Sequence, residues 1–253
     1  MRDPGQCGIR STRIRRRGAM PDMPPVALLE PGQPNYPGSM SLGGKAPVLS
    51  TLGNLDLIDT PGLGFCGSRK VSQKGITVTV DCAEQAVDAG FTVISGNAAG
   101  VDLAAHHTAL ACGGATVLIL AEGIERFRIR KELRPVWDWT RVLVISQFAP
   151  QAMWQAYRAM ERNDVIIALS RVMIVVEAGE TGGTLAAGLR TLQIGKSLFV
   201  ADYENVEEVA PGNAQLLGRG ASRLRRSRET GRASIAALWE IATRNRPVQS
   251  VLL

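Results

Sequence analysis

Between residues 63 and 201 short apolar runs alternate with longer stretches in which apolar positions recur at helical spacing. The runs at 63–66, 91–95, 115–121, 141–145, 172–177 and 197–201 predict strands, and the stretches at 73–89, 101–112, 152–169 and 184–194 predict helices. Within the runs apolar and polar residues do not alternate. Both faces of each strand are therefore buried, as in a parallel sheet covered by helices. The βαβα order predicts an α/β fold: a doubly wound, mostly parallel sheet with helices on both faces. Residues 1–50 are rich in Pro, Gly, Ser and Arg without periodicity, and most of them are expected to be disordered or loosely docked. After Asp202 the pattern is irregular until a last helical stretch at 234–244, and no internal repeat is visible.

Composition adds bounds. The 253 residues are 45% hydrophobic and 21% charged, ordinary for a soluble domain. No apolar run approaches the ~18 residues of a membrane span, so no membrane association is expected. No apolar segment follows the basic N-terminus, so no signal peptide is read there. Cys7, Cys66, Cys82 and Cys112 form no C-x-x-C pair, which favours free thiols in a reducing cytoplasm. His106 and His107 are the sole histidines and are adjacent, a poor basis for a structural zinc site.

The net charge of +6 is unevenly spread. Residues 1–19 hold six arginines against one aspartate, and residues 219–232 hold six against one glutamate, so the remainder is net acidic. A smaller basic cluster runs from Arg126 to Arg134. Basic clusters on a slightly acidic body point to a polyanion partner, most simply nucleic acid. The first run also has a bland reading as an unspecific basic tail, and a start at Met20 or Met23 would remove it.

In an open parallel sheet, ligands bind beyond the carboxyl ends of the strands. Three such ends carry Gly67-Ser68-Arg69-Lys70, Ser95-Gly96-Asn97-Ala98-Ala99-Gly100, and Glu177-Ala178-Gly179-Glu180-Thr181-Gly182-Gly183-Thr184. The last two open directly into helices. Glycines permit close backbone approach, and helix N-termini offer unpaired N–H groups, so the three loops together predict a phosphate site. Arg69 would add a bidentate fork. Neither G-x-G-x-x-G nor a P-loop is present, so no cofactor is expected.

Asp102 reads best as a cap of its own helix, with a ligand contact as the alternative. His106, one turn on, reads as a packed, hydrogen-bonded histidine. Glu177 ends an apolar strand, where a carboxylate needs a partner, and Arg162 or Arg69 is the candidate.

Read together, these segments resemble the DprA/Smf DNA-processing family, a Rossmann-like branch of the superfamily shared with the cytokinin-activating phosphoribohydrolases. The matching stretches are Tyr36-Pro37, Gly53-Asn54-Leu55-Asp56-Leu57, Gly67-Ser68-Arg69, Ser95-Gly96-x-Ala98-x-Gly100-Val101-Asp102-x-x-Ala105-His106 and Arg162-Asn163. They continue through Val175-Val176-Glu177-Ala178, Gly182-Gly183-Thr184, Pro211-Gly212-Asn213 and Gly220-Ala221. The resemblance implies a cytoplasmic, homodimeric protein that binds and protects single-stranded DNA and helps load the RecA recombinase. It also implies that Ser68, Arg69, Ser95, Gly96, Arg162 and Asn163 line the DNA pocket. The chain departs from the family in the acids flanking Arg162-Asn163 and in the acidic stretch from Asp202 to Glu208. No N-terminal helical domain or C-terminal winged helix is read in it.

The organisation expected is a disordered basic segment at 1–35, an extended arm at 36–62, a Rossmann-like domain at 63–221, and a basic segment with a C-terminal helix at 222–253. Two rival readings share the fold. A phosphoribohydrolase cleaving nucleoside monophosphates would need a carboxylate after the third loop, where this chain has Thr184-Leu185-Ala186-Ala187. A nucleotide sensor would need only the phosphate loops. With aromatics at 5%, few stacking platforms are expected, and backbone electrostatics would dominate DNA binding.

Overall fold

The computed structural model describes residues 23–43 and 46–244. The arginine run at 1–19 and the last residues of the chain lie outside them. Among the described residues nine strands form one sheet, and seven α-helices flank it. In chain order the elements are β1 (Ala27–Leu29), β2 (Leu49–Gly53), β3 (Gly62–Cys66), α1 (Gln73–Asp88), β4 (Thr92–Gly96), α2 (Val101–Ala111), β5 (Thr116–Ile119) and β6 (Val142–Ser146). They continue with α3 (Ala156–Leu169), β7 (Ser170–Val175), α4 (Gly183–Gln193), β8 (Ser197–Ala201), α5 (Val206–Val209), α6 (Pro211–Gly218), β9 (Ser222–Leu224) and α7 (Ala236–Arg244).

The sheet order is β1-β2-β6-β5-β4-β3-β7-β8-β9. From β6 to β9 every pairing is parallel, as the continuous apolar runs predict, while β2 joins β6 and β1 joins β2 antiparallel. Alternate residues of the central strands feed opposite faces. Leu63, Phe65, Val93, Val172 and Ile174 pack against α1, α2 and α7. Ile94, Val117, Ile119, Met173 and Val175 pack against α3, α4 and α6. A third cluster forms where the β5–β6 connection folds Phe127, Ile129 and Leu133 over Leu118, Leu120 and Val144.

Three short strands depart from the sequence reading. β1 lies within the stretch expected to be disordered, and β2 within the arm. β1 is the edge strand and β2 lies between it and β6; both are short and are placed by antiparallel backbone pairing rather than by a long apolar run. β9 carries Arg223 at its centre and adds to β8 in register, Val200 opposite Arg223. The predicted start of α3 moves from Ala152 to Ala156 because Gln155 holds an extended backbone.

Asn213, in the Pro211-Gly212-Asn213 motif, ties the ligand edge together. Its fully buried amide donates to the Val176 and Ala201 carbonyls at 2.7 and 2.8 Å and accepts from the Ala178 N–H at 2.8 Å. The ends of β7 and β8 are thereby fixed to α6. Asn213→Ala leaves three buried groups without partners, each costing about 1–3 kcal/mol. It should lower stability by at least about 3 kcal/mol in urea titrations, with an unchanged denaturant slope; a smaller loss would show that these groups find other partners.

Candidate functional site

The strand order reverses between β3 and β7, where an open sheet places its ligand crevice. That crevice is filled from within. Ser72, the residue before α1, accepts from the Gly75 N–H at 3.0 Å. It donates its own N–H to Glu177 Oε2 at 2.9 Å, and its hydroxyl donates to Glu177 Oε1. Glu177 is therefore satisfied by a helix start rather than by Arg162 or Arg69. The correction has a physical reason: the open end of α1, with its partial positive charge, abuts the end of β7. A Cβ on Gly75 would overlap the Glu177 carboxylate, so glycine is required there. Burial first, then this carboxylate, pushes the pKa of the neighbouring Tyr203 phenol up.

Asp102 does not cap α2. Gly100 occupies the cap position, and no side chain caps the helix there. The Asp102 carboxylate turns inward, accepting from the Ala98 N–H at 3.1 Å and pairing with the Arg162 guanidinium at 3.3 Å. The buried Ser95 hydroxyl lies 2.9 Å from Asp102 and 2.8 Å from the Phe65 carbonyl. Arg162 also donates to the Ile119 carbonyl at 2.9 Å. A Cβ on Gly96 would overlap that guanidinium. Ser95 and Gly96, expected to contact phosphate, are thus buried parts of a loop scaffold.

His106 completes the scaffold, as its packed reading anticipated. Nε2 lies 2.7 Å from the Gly96 carbonyl and Nδ1 2.6 Å from the Thr116 hydroxyl. The carbonyl can only accept, so the neutral ring carries its proton on Nε2. Burial pulls the imidazole pKa down to about 4. The same burial pushes the Cys66 thiol up to about 12, so neither group is charged at neutral pH.

The first two loops are stitched together above this scaffold. The Val101 N–H donates to the Ser68 carbonyl at 3.3 Å, and the Lys70 N–H to the Ser68 hydroxyl at 3.0 Å. Gly100 has φ 76°, and a Cβ there would overlap the Ser68 carbonyl; a Cβ on Gly67 would overlap Val101. Beside the stitch opens a cleft of about 420 Å³, whose lining includes Arg69, Asn97, Glu122, Arg130, Trp154 and Arg162. The Arg69 guanidinium lies over the Trp154 ring at 5.1 Å, and Trp154 is 49% exposed. Arg69 and Arg130 make no ion pair among the described residues.

The third loop does not line this cleft. Gly183 is held by the Asn163 amide, which donates to its carbonyl at 3.3 Å, and Thr184 lies beside the Cys66 thiol. Gly182, at φ 103°, is exposed on the far side of the crevice. Lys70 is exposed and outside the cleft. The sequence reading did not single out Asn97, Glu122, Arg130 or Trp154 as site residues. The Arg126–Arg134 cluster was the visible signal for Arg130. In the 219–232 run Arg223 and Arg225 pair with Asp202, and Arg232 with Asp81 and Glu84.

Among the described residues no group of acids, histidines and cysteines could hold a metal ion, and no helix is long and apolar enough to cross a membrane. A doubly wound, mostly parallel sheet with helices on both faces and an arginine-lined cleft at its strand ends defines a Rossmann-like α/β protein. The chain belongs to the family described as DNA recombination-mediator protein A, whose model matches residues 27–233. It is 31% identical to the DNA processing protein DprA of Streptococcus pneumoniae over 189 residues, 74% of this chain and 66% of that protein. It is 28% identical to the protein Smf of Synechocystis over 201 residues, 77% of this chain and 50% of that protein. The chain thus spans between half and two thirds of these relatives. The crystal structure of the Streptococcus pneumoniae protein superposes with a TM-score of 0.70 at 28% identity, covering 81% of this chain and 72% of that one. The solved structure of Helicobacter pylori DNA processing protein A, alike in fold, gives 0.70 at 22% identity, covering 87% of this chain and 94% of that one.

The Asp102–Arg162 pair carries a prediction of its own. Asp102→Ala leaves the guanidinium buried and unpaired, which costs about 3–5 kcal/mol. Thermal and urea unfolding should both register that loss, and a variant as stable as the wild type would show that the pair is not holding the loops.

Proposed function

We propose that this protein binds single-stranded DNA in the cleft at the ends of β3, β4 and β5, and acts in DNA recombination without breaking bonds in its ligand. The observation that carries the reading is the pair of arginines without a carboxylate partner, Arg69 and Arg130, in one cleft with the half-exposed indole of Trp154, on which Arg69 rests. Arginine forks grip phosphates, and an exposed ring gives an unpaired base a face to stack on, a combination a duplex cannot use. Membership of a family described as recombination mediators supports it. So does the likeness in fold to the Helicobacter pylori protein, which is known for its single-stranded DNA binding mode.

A recombinase partner of the RecA type, a homodimer and a cytoplasmic location belong to the same proposal and rest on the family. The phosphoribohydrolase reading has less support: Glu177 is tied to Ser72, away from the cleft.

Arg69 sits at the end of a buried strand, so little of its freedom is lost on binding. A charge-assisted contact of this kind is worth about 1.5–3 kcal/mol. Arg69→Ala should weaken single-stranded DNA binding about ten- to a hundredfold, and Arg69→Lys should recover part of that. Deleting residues 1–19 should cost less and mainly reduce the salt dependence, which is about −0.7 in log–log slope for each neutralised phosphate. Titrations of each folded variant at one salt concentration check this. Equal affinity of the wild type for single strands and duplex, or a tail deletion more damaging than Arg69→Ala, would contradict it.

A further inference from the structure

The cleft contains a group that a phosphate site alone does not need. Glu122 follows β5, and its carboxylate makes no hydrogen bond or ion pair among the described residues, although Arg69, Arg130 and Arg162 line the same cavity. Its position is built in. The Glu122 carbonyl accepts from the Ser146 hydroxyl at 2.7 Å. On one side the Leu120 N–H donates to the Ile145 carbonyl at 2.8 Å, and on the other the Gly123 N–H donates to the Ala152 carbonyl at 2.9 Å. Gly123 is buried, and a Cβ there would overlap the Ala149 and Pro150 carbonyls. The backbone on both sides of Glu122 is therefore fixed while the side chain faces the ligand space.

A carboxylate in an anion cleft repels phosphate, and this one forms an ion pair with none of the arginines around it among the described residues. What it can do is accept hydrogen bonds, and in a strand of DNA the donors are on the base edges. Guanine presents N1–H and the 2-amino group side by side, matching the two oxygens of a carboxylate. Adenine and cytosine offer one exocyclic amine. Thymine offers a single N–H flanked by two carbonyls that a carboxylate repels. Trp154 supplies a ring for the base face, and Asn97 a second edge contact.

We propose that Glu122 reads the edge of a base seated in this cleft and makes the protein prefer guanine-containing single strands over oligothymidine. The inference rests on the single-stranded DNA reading above. It concerns which base the site accepts rather than whether the site binds DNA.

The test is fluorescence anisotropy at one salt concentration in a lithium buffer, which disfavours quadruplexes. The probes are three labelled strands of equal length: oligo(dT), alternating oligo(dG-dT), and alternating oligo(dI-dT), in which inosine keeps N1–H but lacks the 2-amino group. The wild type should bind the dG-dT strand about tenfold more tightly than oligo(dT), in line with a bidentate base contact, with the inosine strand between them. Glu122→Gln, checked for an unchanged melting curve, should bring the two affinities within about twofold of each other. It should do so partly by tightening oligo(dT) binding, since the repelling charge is gone. Equal wild-type affinity for all three strands would overturn the base preference while leaving DNA binding in place. A preference that survives in Glu122→Gln would overturn the role of Glu122. Failure of the wild type to bind any strand would take down the DNA reading itself.

Discussion

The ligand edge of this sheet is organised around one buried ion pair, Asp102 with Arg162. Burying two charges is expensive unless further hydrogen bonds support the pair, and here both partners have them. Asp102 takes the Ala98 N–H and faces the Ser95 hydroxyl, and Arg162 takes the Ile119 carbonyl. α2, α3 and the ends of β4 and β5 are pinned to each other by these few bonds. The guanidinium sits where a side chain at position 96 would be, so Gly96 is fixed by the protein itself, and the loop it starts runs over the pair to Gly100. The neutral His106 holds the Gly96 carbonyl from beneath. A rigid loop of this kind offers its outer face to a ligand without first having to be ordered.

That pair also divides the cations by duty. Arg162 is neutralised in place. Arg223, Arg225 and Arg232 close the far side of the molecule through Asp202, Asp81 and Glu84, and Arg232 anchors the segment that leads into α7, where Trp239 stacks on Phe91 at 4.9 Å. Arg69 and Arg130 are left over at the cleft. Net charge therefore says little about where DNA would bind. The position of the arginines that lack carboxylate partners says more.

The parallel strands were legible because burial on both faces writes an unbroken apolar run, and the helices between them because their apolar positions keep a helical period. β1 and β9 were not, since an edge strand of three residues can be held by backbone bonds and carry exposed Leu28 or Arg223, and neither was the buried β2, whose short run mixes Ser50 and Thr51 with its leucines. In the site, Arg69 was legible from a Gly-Ser-Arg turn at a strand end. Ser95, Gly96 and Arg162, expected at a phosphate, are held in a buried network in which Arg162 also reaches the cleft wall, and a glycine demanded by a buried guanidinium looks the same in sequence as one demanded by a phosphate. Asp102 and Glu177 were misassigned because part of what satisfies them is backbone, the Ala98 and Ser72 N–H groups, and the side chains that join in, Arg162 and the Ser72 hydroxyl, lie 60 and 105 residues away in sequence. Arg130 and Glu122 come from a connection without periodicity and Trp154 from a stretch read as the start of a helix, and the three meet only when the β5–β6 connection and the extended approach to α3 fold over the strand ends.

The central claim is that single-stranded DNA lies over the first two loops and not over the third or the C-terminal basic run. Hydrogen–deuterium exchange of the intact protein, with and without saturating oligo(dT), tests it directly. The account predicts slowed exchange at residues 67–70, 97–100 and 122–130, with 180–184 and 219–232 unchanged. Protection confined to 180–184 or 219–232 would contradict it.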